Sequence, residues 1–301
     1  MLKPELLKQG DRIRVISPAG KVEKEKISAG MKLFEQAGFE VVWGDHTFDS
    51  HYQFAASDAN RLLDLQQALD DSECKAIVCA RGGYGAIRLV DQLDFSGFRR
   101  QPKWVVGFSD ITVLHARIQH EGFCSIHGAM PGFYWKDQLP TESFSELLKT
   151  LAGESRPVKV PPHEFNRPGQ ITGKLVGGNL SIVYSLMGTP LEPKLDGNIL
   201  FIEDLAEYLY HLDRMMHSLK LTGKLKSLKG LLVGGFTDMK DNEAPFGQTA
   251  PEIIRDVVRE YSFPVCFDFP AGHIDRNLPL ILGAGYQLEV NESQGVILTA
   301  L

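Results

Sequence analysis

The chain has 301 residues, 43% of them hydrophobic and 23% charged, close to the averages of soluble globular proteins, which excludes a disordered or fibrous chain. That length supports two modest domains or one large one, each with a sizeable core. The formal net charge is -6 and the basic residues are scattered, so no stripe gathers nucleic-acid phosphates and no nucleic-acid partner is expected.

Charged and polar residues follow Met1-Leu2-Lys3-Pro4-Glu5, and no run of about 18 apolar residues occurs. The chain therefore reads as cytoplasmic, with no membrane span. Strand-like runs at 12–17, 39–43, 75–80, 104–108 and 123–127 alternate with amphipathic stretches, the pattern of a mostly parallel sheet with crossover helices. A helix is predicted over 58–69, with Leu62, Leu63, Leu65 and Leu69 near one face, and another over 111–122 behind a Ser109-Asp110 pair suited to an N-cap.

Residues 155–169 contain Pro157, Pro161, Pro162 and Pro168 and little periodicity, so they read as a linker between a domain at 1–154 and one at 170–301. After it come a Gly177-Gly178 turn, a helix over 179–187, and a strand over 198–202 that ends in Glu203 and Asp204. A helix then carries Tyr208, Leu212, Met215 and Leu219 at core-facing spacing. Strands at 230–234, 264–269, 280–283, 286–290 and 296–299 and a helix at 251–261 complete a mixed α/β second half. Cys74, Cys79, Cys124 and Cys266 lack CxxC spacing, and all but Cys74 lie in apolar strand-like runs. Buried reduced thiols are expected, not disulfides or a zinc site.

Two stretches suggest chemistry. In Trp104-Val105-Val106-Gly107-Phe108-Ser109-Asp110-Ile111 an apolar strand stops at a serine and continues as a helix. A tight turn there exposes the hydroxyl and offers helix-start amides to a developing oxyanion. Ile111 stands where a GxSxG elbow has its last glycine, so the standard α/β-hydrolase fold is not supported, and a plain helix-capping role for Ser109 or Asp110 competes. Ala80-Arg81-Gly82-Gly83-Tyr84-Gly85 also follows a strand. It lacks GxGxxG and phosphate-loop spacing, which leaves half an oxyanion hole or a simple glycine turn.

Taken together, Ser17-Pro18-Ala19, Arg81-Gly82-Gly83-Tyr84-Gly85, Gly107-Phe108-Ser109-Asp110, Gly177-Gly178-Asn179-Leu180 and Ile202-Glu203-Asp204 resemble the LD-carboxypeptidases, a family that includes microcin-immunity peptidases. The matches keep the family order and extend to His273 in Asp268-Phe269-Pro270-Ala271-Gly272-His273. The resemblance implies a catalytic triad of Ser109, Glu203 and His273, with the nucleophile in the N-terminal α/β domain, the acid and base in the C-terminal one, and the active site at their interface.

On that reading His273 is the general base and Glu203 orients its ring. The oxyanion meets the backbone amides of Asp110 and of Gly83, with Gly82 as the alternative. Arg81 is a candidate partner for a substrate carboxylate. Glu207, four residues after Glu203, faces a substrate ammonium or simply sits at a helix start.

No histidine pair has the i, i+4 spacing of a helical metal site, and no metal or other cofactor is expected. The implied substrate is a murein tetrapeptide losing its terminal D-alanine, the implied assembly a homodimer. Hydrolysis of peptidyl-aminoacyl nucleotide conjugates, noncatalytic peptide binding and nucleotide-dependent transfer are the alternatives.

Overall fold

A computed structural model describes residues 1–137 and 139–301. The chain begins with β1 (Arg12–Ile16), α1 (Lys24–Gln36), β2 (Glu40–Trp43), α2 (Asp58–Asp70), β3 (Cys74–Cys79), α3 (Ser96–Arg100), β4 (Trp104–Gly107), α4 (Thr112–His120) and β5 (Ser125–His127). Two short strands, β6 (Trp135–Lys136) and β7 (Leu139–Pro140), precede α5 (Glu142–Leu151). It continues with β8 (Val158–Val160), β9 (Gly169–Asn179), α6 (Leu180–Ser185), β10 (Ile199–Leu205), α7 (Leu209–Leu221), β11 (Gly230–Thr237), α8 (Ala250–Val258) and β12 (Val265–Cys266). The last strands are β13 (Leu280–Leu282), β14 (Gly285–Asn291) and β15 (Gly295–Ala300). Among the described residues no helix is long and apolar enough to cross a membrane.

The chain divides into two compact units, Met1–Ser155 with Asp275–Leu282, and Arg156–Ile274 with Gly283–Leu301. The first holds a six-stranded sheet in the order β13-β5-β4-β3-β1-β2. Its strands are parallel except β13, which runs antiparallel to β5. The four residues of β4, Trp-Val-Val-Gly, are all buried, as a parallel strand covered on both faces requires.

The second unit holds a seven-stranded sheet, β12-β11-β10-β9-β14-β15-β8. The first four strands are parallel and the rest antiparallel. Leu200, Ile202, Leu212, Met215, Leu219, Leu231 and Ile254, each 0% exposed, lie in its core. The fold class is that expected from the sequence: a mostly parallel N-terminal sheet with helices and a mixed C-terminal unit.

Several details differ from the sequence reading. Residues 155–169 include β8, which fits between Pro157 and Pro161 because it is an edge strand of three residues. On α2 the buried stripe is Arg61, Asp64, Leu65, Ala68 and Leu69, spaced at three and four residues. Leu63 falls off that stripe and is 46% exposed.

Tyr208 is the N-cap of α7, outside its first turn, and is exposed, whereas Leu212, Met215 and Leu219 are core. Gly177 and Gly178 lie within β9, not in a turn, at φ +114° and +138°. A Cβ on Gly177 would stand 2.1 Å from the Phe201 carbonyl oxygen, so the close approach of β9 to β10 requires glycine there. All four cysteines are buried and none is in a disulfide among the described residues, and Cys74 opens β3.

Candidate active site

In the first unit β4 delivers the chain to Ser109, which opens a one-turn 3-10 segment, Ser109–Ile111, ahead of α4. Ser109 has φ +65°, a left-handed conformation that a serine adopts at a cost and that recurs at functional turns. Neither Ser109 nor Asp110 caps the helix: the turn and α4 have no side-chain cap. This removes the simple capping explanation for the pair. The first amides of such a turn have no intrahelical acceptor and point out of its N-terminus.

Behind the turn, His115 is fully buried. Its Nε2–H donates to the Gly107 carbonyl at 2.9 Å, and Nδ1 accepts from the Ser125 hydroxyl at 2.9 Å. The Gly128 amide donates to the same carbonyl at 3.1 Å, so two donors fix the end of β4 next to the nucleophile candidate. Burial lowers the His115 pKa to about 4, which keeps the ring neutral.

The glycine loop after β3 packs against this turn. A Cβ on Gly82 would lie 3.0 Å from Ser109 Cβ and 3.3 Å from its Oγ, so only glycine leaves the hydroxyl its present room. Gly82 is buried, whereas Gly83 is exposed at φ +100°. A single 3-10 turn, Ala86–Arg88, follows the loop in place of a longer helix.

Arg81 is exposed, and its Nη1 donates to the Lys21 carbonyl at 2.7 Å. With Lys21, Lys24, Phe48, Met130 and Phe133 it lines a cleft of about 840 Å³ within the first unit. Arg81 still has donors to offer, since a guanidinium carries five.

In the second unit β10 carries Glu203, which is 0% exposed. His273 Nδ1–H donates to Glu203 Oε2 at 2.6 Å. A carboxylate only accepts, so Nδ1 carries the proton and Nε2 becomes the acceptor nitrogen. Thr237 Oγ1 donates to the His273 carbonyl at 3.0 Å.

The pair depends on glycine. Gly272 has φ +110°, and a Cβ there would stand 2.7 Å from Glu203 Cβ and 2.8 Å from Oε2. Gly234 abuts the same loop, where a Cβ would meet the Ala271 carbonyl oxygen at 2.4 Å. Glu203 Oε1 is buried without a hydrogen-bond partner, an arrangement suited to a neighbour that becomes cationic.

Asp204 points away from this pair. Its carboxyl accepts from Asn179 Nδ2 at 2.8 Å and from the Ser181 amide and hydroxyl at 2.9 and 2.7 Å, docking the start of α6 on β10. Glu207 accepts from Ser181 and from His211 Nδ1, at 3.1 and 2.7 Å, a local structural role. Among the described residues no group of three His, Cys, Asp or Glu side chains is arranged to hold a metal.

Sequence reasoning did not single out His115, Gly234 or Thr237, or the Gly272 contact with Glu203. For Gly272 a signal existed, because a glycine beside a candidate histidine marks a close backbone approach. For His115 there was none, since its two partners lie on β4 and β5.

Residues 13–128 match the LD-carboxypeptidase N-terminal domain and residues 172–288 the LD-carboxypeptidase C-terminal domain. Over 300 aligned residues the chain is 34% identical to the probable murein peptide carboxypeptidase of Bacillus subtilis strain 168, covering 98% of this chain and 94% of that protein. The chain belongs to the LD-carboxypeptidase family.

The crystal structure of muramoyltetrapeptide carboxypeptidase from Oxalobacter formigenes is 28% identical, with a TM-score of 0.86 over 96% of this chain and 98% of that one. The microcin C7 self-immunity protein in its wild-type apo state shares the fold at a TM-score of 0.89 and 20% identity, over 100% of this chain and 99% of that one. The likeness to the Oxalobacter formigenes enzyme agrees with the family reading made from the motifs.

Proposed function

We propose that this chain is a cytoplasmic, homodimeric serine carboxypeptidase that releases the terminal D-alanine from murein tetrapeptides during cell-wall recycling. The observation that carries the reading is Ser109 at φ +65° on a strand-to-helix turn in a chain of this family. The hydrogen-bonded Glu203 and His273 pair supports it.

Ser109 Oγ attacks the carbonyl carbon of the bond before the terminal D-alanine, and His273 Nε2 takes its proton. Glu203 holds the ring and stabilises its cation. The amides of Gly83 and Asp110 receive the oxyanion, an interaction that strengthens as negative charge develops. Collapse of the tetrahedral intermediate expels D-alanine, whose amine takes the proton from His273. Water, deprotonated by the same ring, then hydrolyses the acyl-enzyme and restores the serine.

Arg81 pairs with the terminal carboxylate, which is what makes removal of one C-terminal residue the preferred cut. No step calls for a metal.

The test is mass spectrometry of the products from a defined murein tetrapeptide. Wild type should release D-alanine, and Ser109→Ala should lose about 10⁴-fold or more in kcat. Unchanged hydrolysis by Ser109→Ala, or binding of the peptide without turnover by wild type, would overturn the proposal.

A further inference from the structure

The carboxyl group of Asp110 is absent from the mechanism above, although its backbone amide takes part. It is 2% exposed, and it caps neither the 3-10 turn in which it lies nor α4. Oδ2 instead accepts the Ala86 amide at 2.8 Å. That donor belongs to the far end of the glycine loop.

The near end of that loop is held as well, because the Gly20 amide donates to the Gly82 carbonyl at 2.8 Å. Between the two anchors Gly83 stands exposed at φ +100°.

The floor of the loop is equally constrained. A Cβ on Gly85 would lie 2.6 Å from Arg61 Nη1, and one on Gly20 would lie 2.8 Å from the Gly82 carbonyl oxygen. Arg61 is itself 1% exposed. It donates from Nη1 to the Pro18 carbonyl at 2.5 Å and from Nε to the Ala56 carbonyl at 3.3 Å, and pairs with Asp58. Its charge favours the ionised form of Asp110, against the burial that pushes that carboxyl up to about 6. A residue needed only to fill space would not be a buried acid, because an apolar side chain avoids the desolvation penalty.

We infer that the Asp110 carboxyl is a positioning residue that pins the loop carrying the Gly83 amide to the nucleophile turn, so that both oxyanion donors keep one mutual geometry. This rests on the serine mechanism proposed above. Oxyanion donors act only within about 2.7–3.1 Å of where the charge develops, and a displacement of about 1 Å can cost on the order of a hundredfold in rate. A loop released at Ala86 would still leave Ser109, His273 and Glu203 unaltered.

The test compares Asp110→Ala and Asp110→Asn with wild type and Ser109→Ala on the same tetrapeptide. Asp110→Ala should lower kcat by about tenfold to a hundredfold with KM within about twofold. Asp110→Asn should recover most of the loss, because its Oδ1 can still accept the Ala86 amide. A peptide boronate that forms a tetrahedral adduct on Ser109 should bind Asp110→Ala more weakly by a factor similar to the kcat loss. Affinity for uncleaved peptide, measured with Ser109→Ala in the background, should not change.

A purely structural role would lower the folded fraction and leave that ratio of affinities as in wild type. If Asp110→Ala does not fold, Asp110→Ser, too short to reach Ala86, replaces it. Wild-type kcat in Asp110→Ala or Asp110→Ser, a loss confined to KM, or no recovery with Asn would overturn the inference. If Ser109→Ala turns the peptide over, the functional proposal fails. If Ser109→Ala is inert while Asp110→Ala works normally, only this inference does.

Discussion

The buried His115 makes the stability of the nucleophile unit depend on pH in a calculable way. Its ordinary pKa of 6.5 applies in the unfolded chain, and burial brings it to about 4 in the folded one. Above 6.5 both states hold the ring neutral and the stabilisation is fully present. As pH falls below 6.5 the unfolded chain takes up a proton that the folded protein refuses, and stability is lost until about pH 4.

The difference corresponds to about 3 kcal/mol, a large share of the ordinary stability of a domain. The perturbation is His115→Gln, which keeps an N–H near the Nε2 position and removes the titration. Trp43, Trp104 and Trp135 are all the tryptophans of the chain and all lie in the first unit, so urea unfolding followed by tryptophan fluorescence reports that unit. The stability of wild type minus that of His115→Gln should fall by about 3 kcal/mol between pH 7 and pH 4. Asp110, pushed up to about 6 from 3.8, works in the opposite direction as pH falls but is common to both proteins and cancels. A difference that stays flat across this range would refute the burial argument.

Two further outcomes follow from the second unit. Glu203→Gln should lower kcat by on the order of 10⁴-fold with KM near wild type, since an amide no longer fixes the His273 tautomer; a loss below about tenfold in steady-state kinetics would contradict that role. Gly272→Ala forces a Cβ to 2.7 Å from Glu203 Cβ at φ +110°. It should cost about 1–3 kcal/mol in thermal unfolding and about a hundredfold in kcat, and an unaltered kcat would show that the Glu203 and His273 geometry tolerates the shift.

Much of this architecture could be read from local pattern. Strand candidates at 75–80 and 104–108 match β3 and β4 to within a residue or so, because fully buried parallel strands are unbroken apolar runs bounded by turn residues. The long β9 was not recognised, since Gly169, Gly173, Gly177 and Gly178 disguise it as loop. The register with β10 explains Gly177, where a Cβ would meet the Phe201 carbonyl oxygen, whereas Gly169 and Gly173 pair with β14. Glu203 and Asp204 stand side by side in the sequence, and alternation along β10 separates them: one side chain meets His273, the other docks α6. The tie from Asp110 to Ala86 spans 24 residues, beyond any local signal.

The return of residues 275–282 to the first unit has a practical consequence. A fragment ending at Ser155 would lack β13, leaving β5 as an open edge with unpaired amides and carbonyls, a template for aggregation. A fragment holding the second unit alone needs an artificial splice from Ile274 to Gly283, one residue after His273. Gene fusion or shuffling that treats the two halves as sequential blocks will therefore damage both, and the eight-residue excursion must travel with the N-terminal half if either is to be grafted elsewhere.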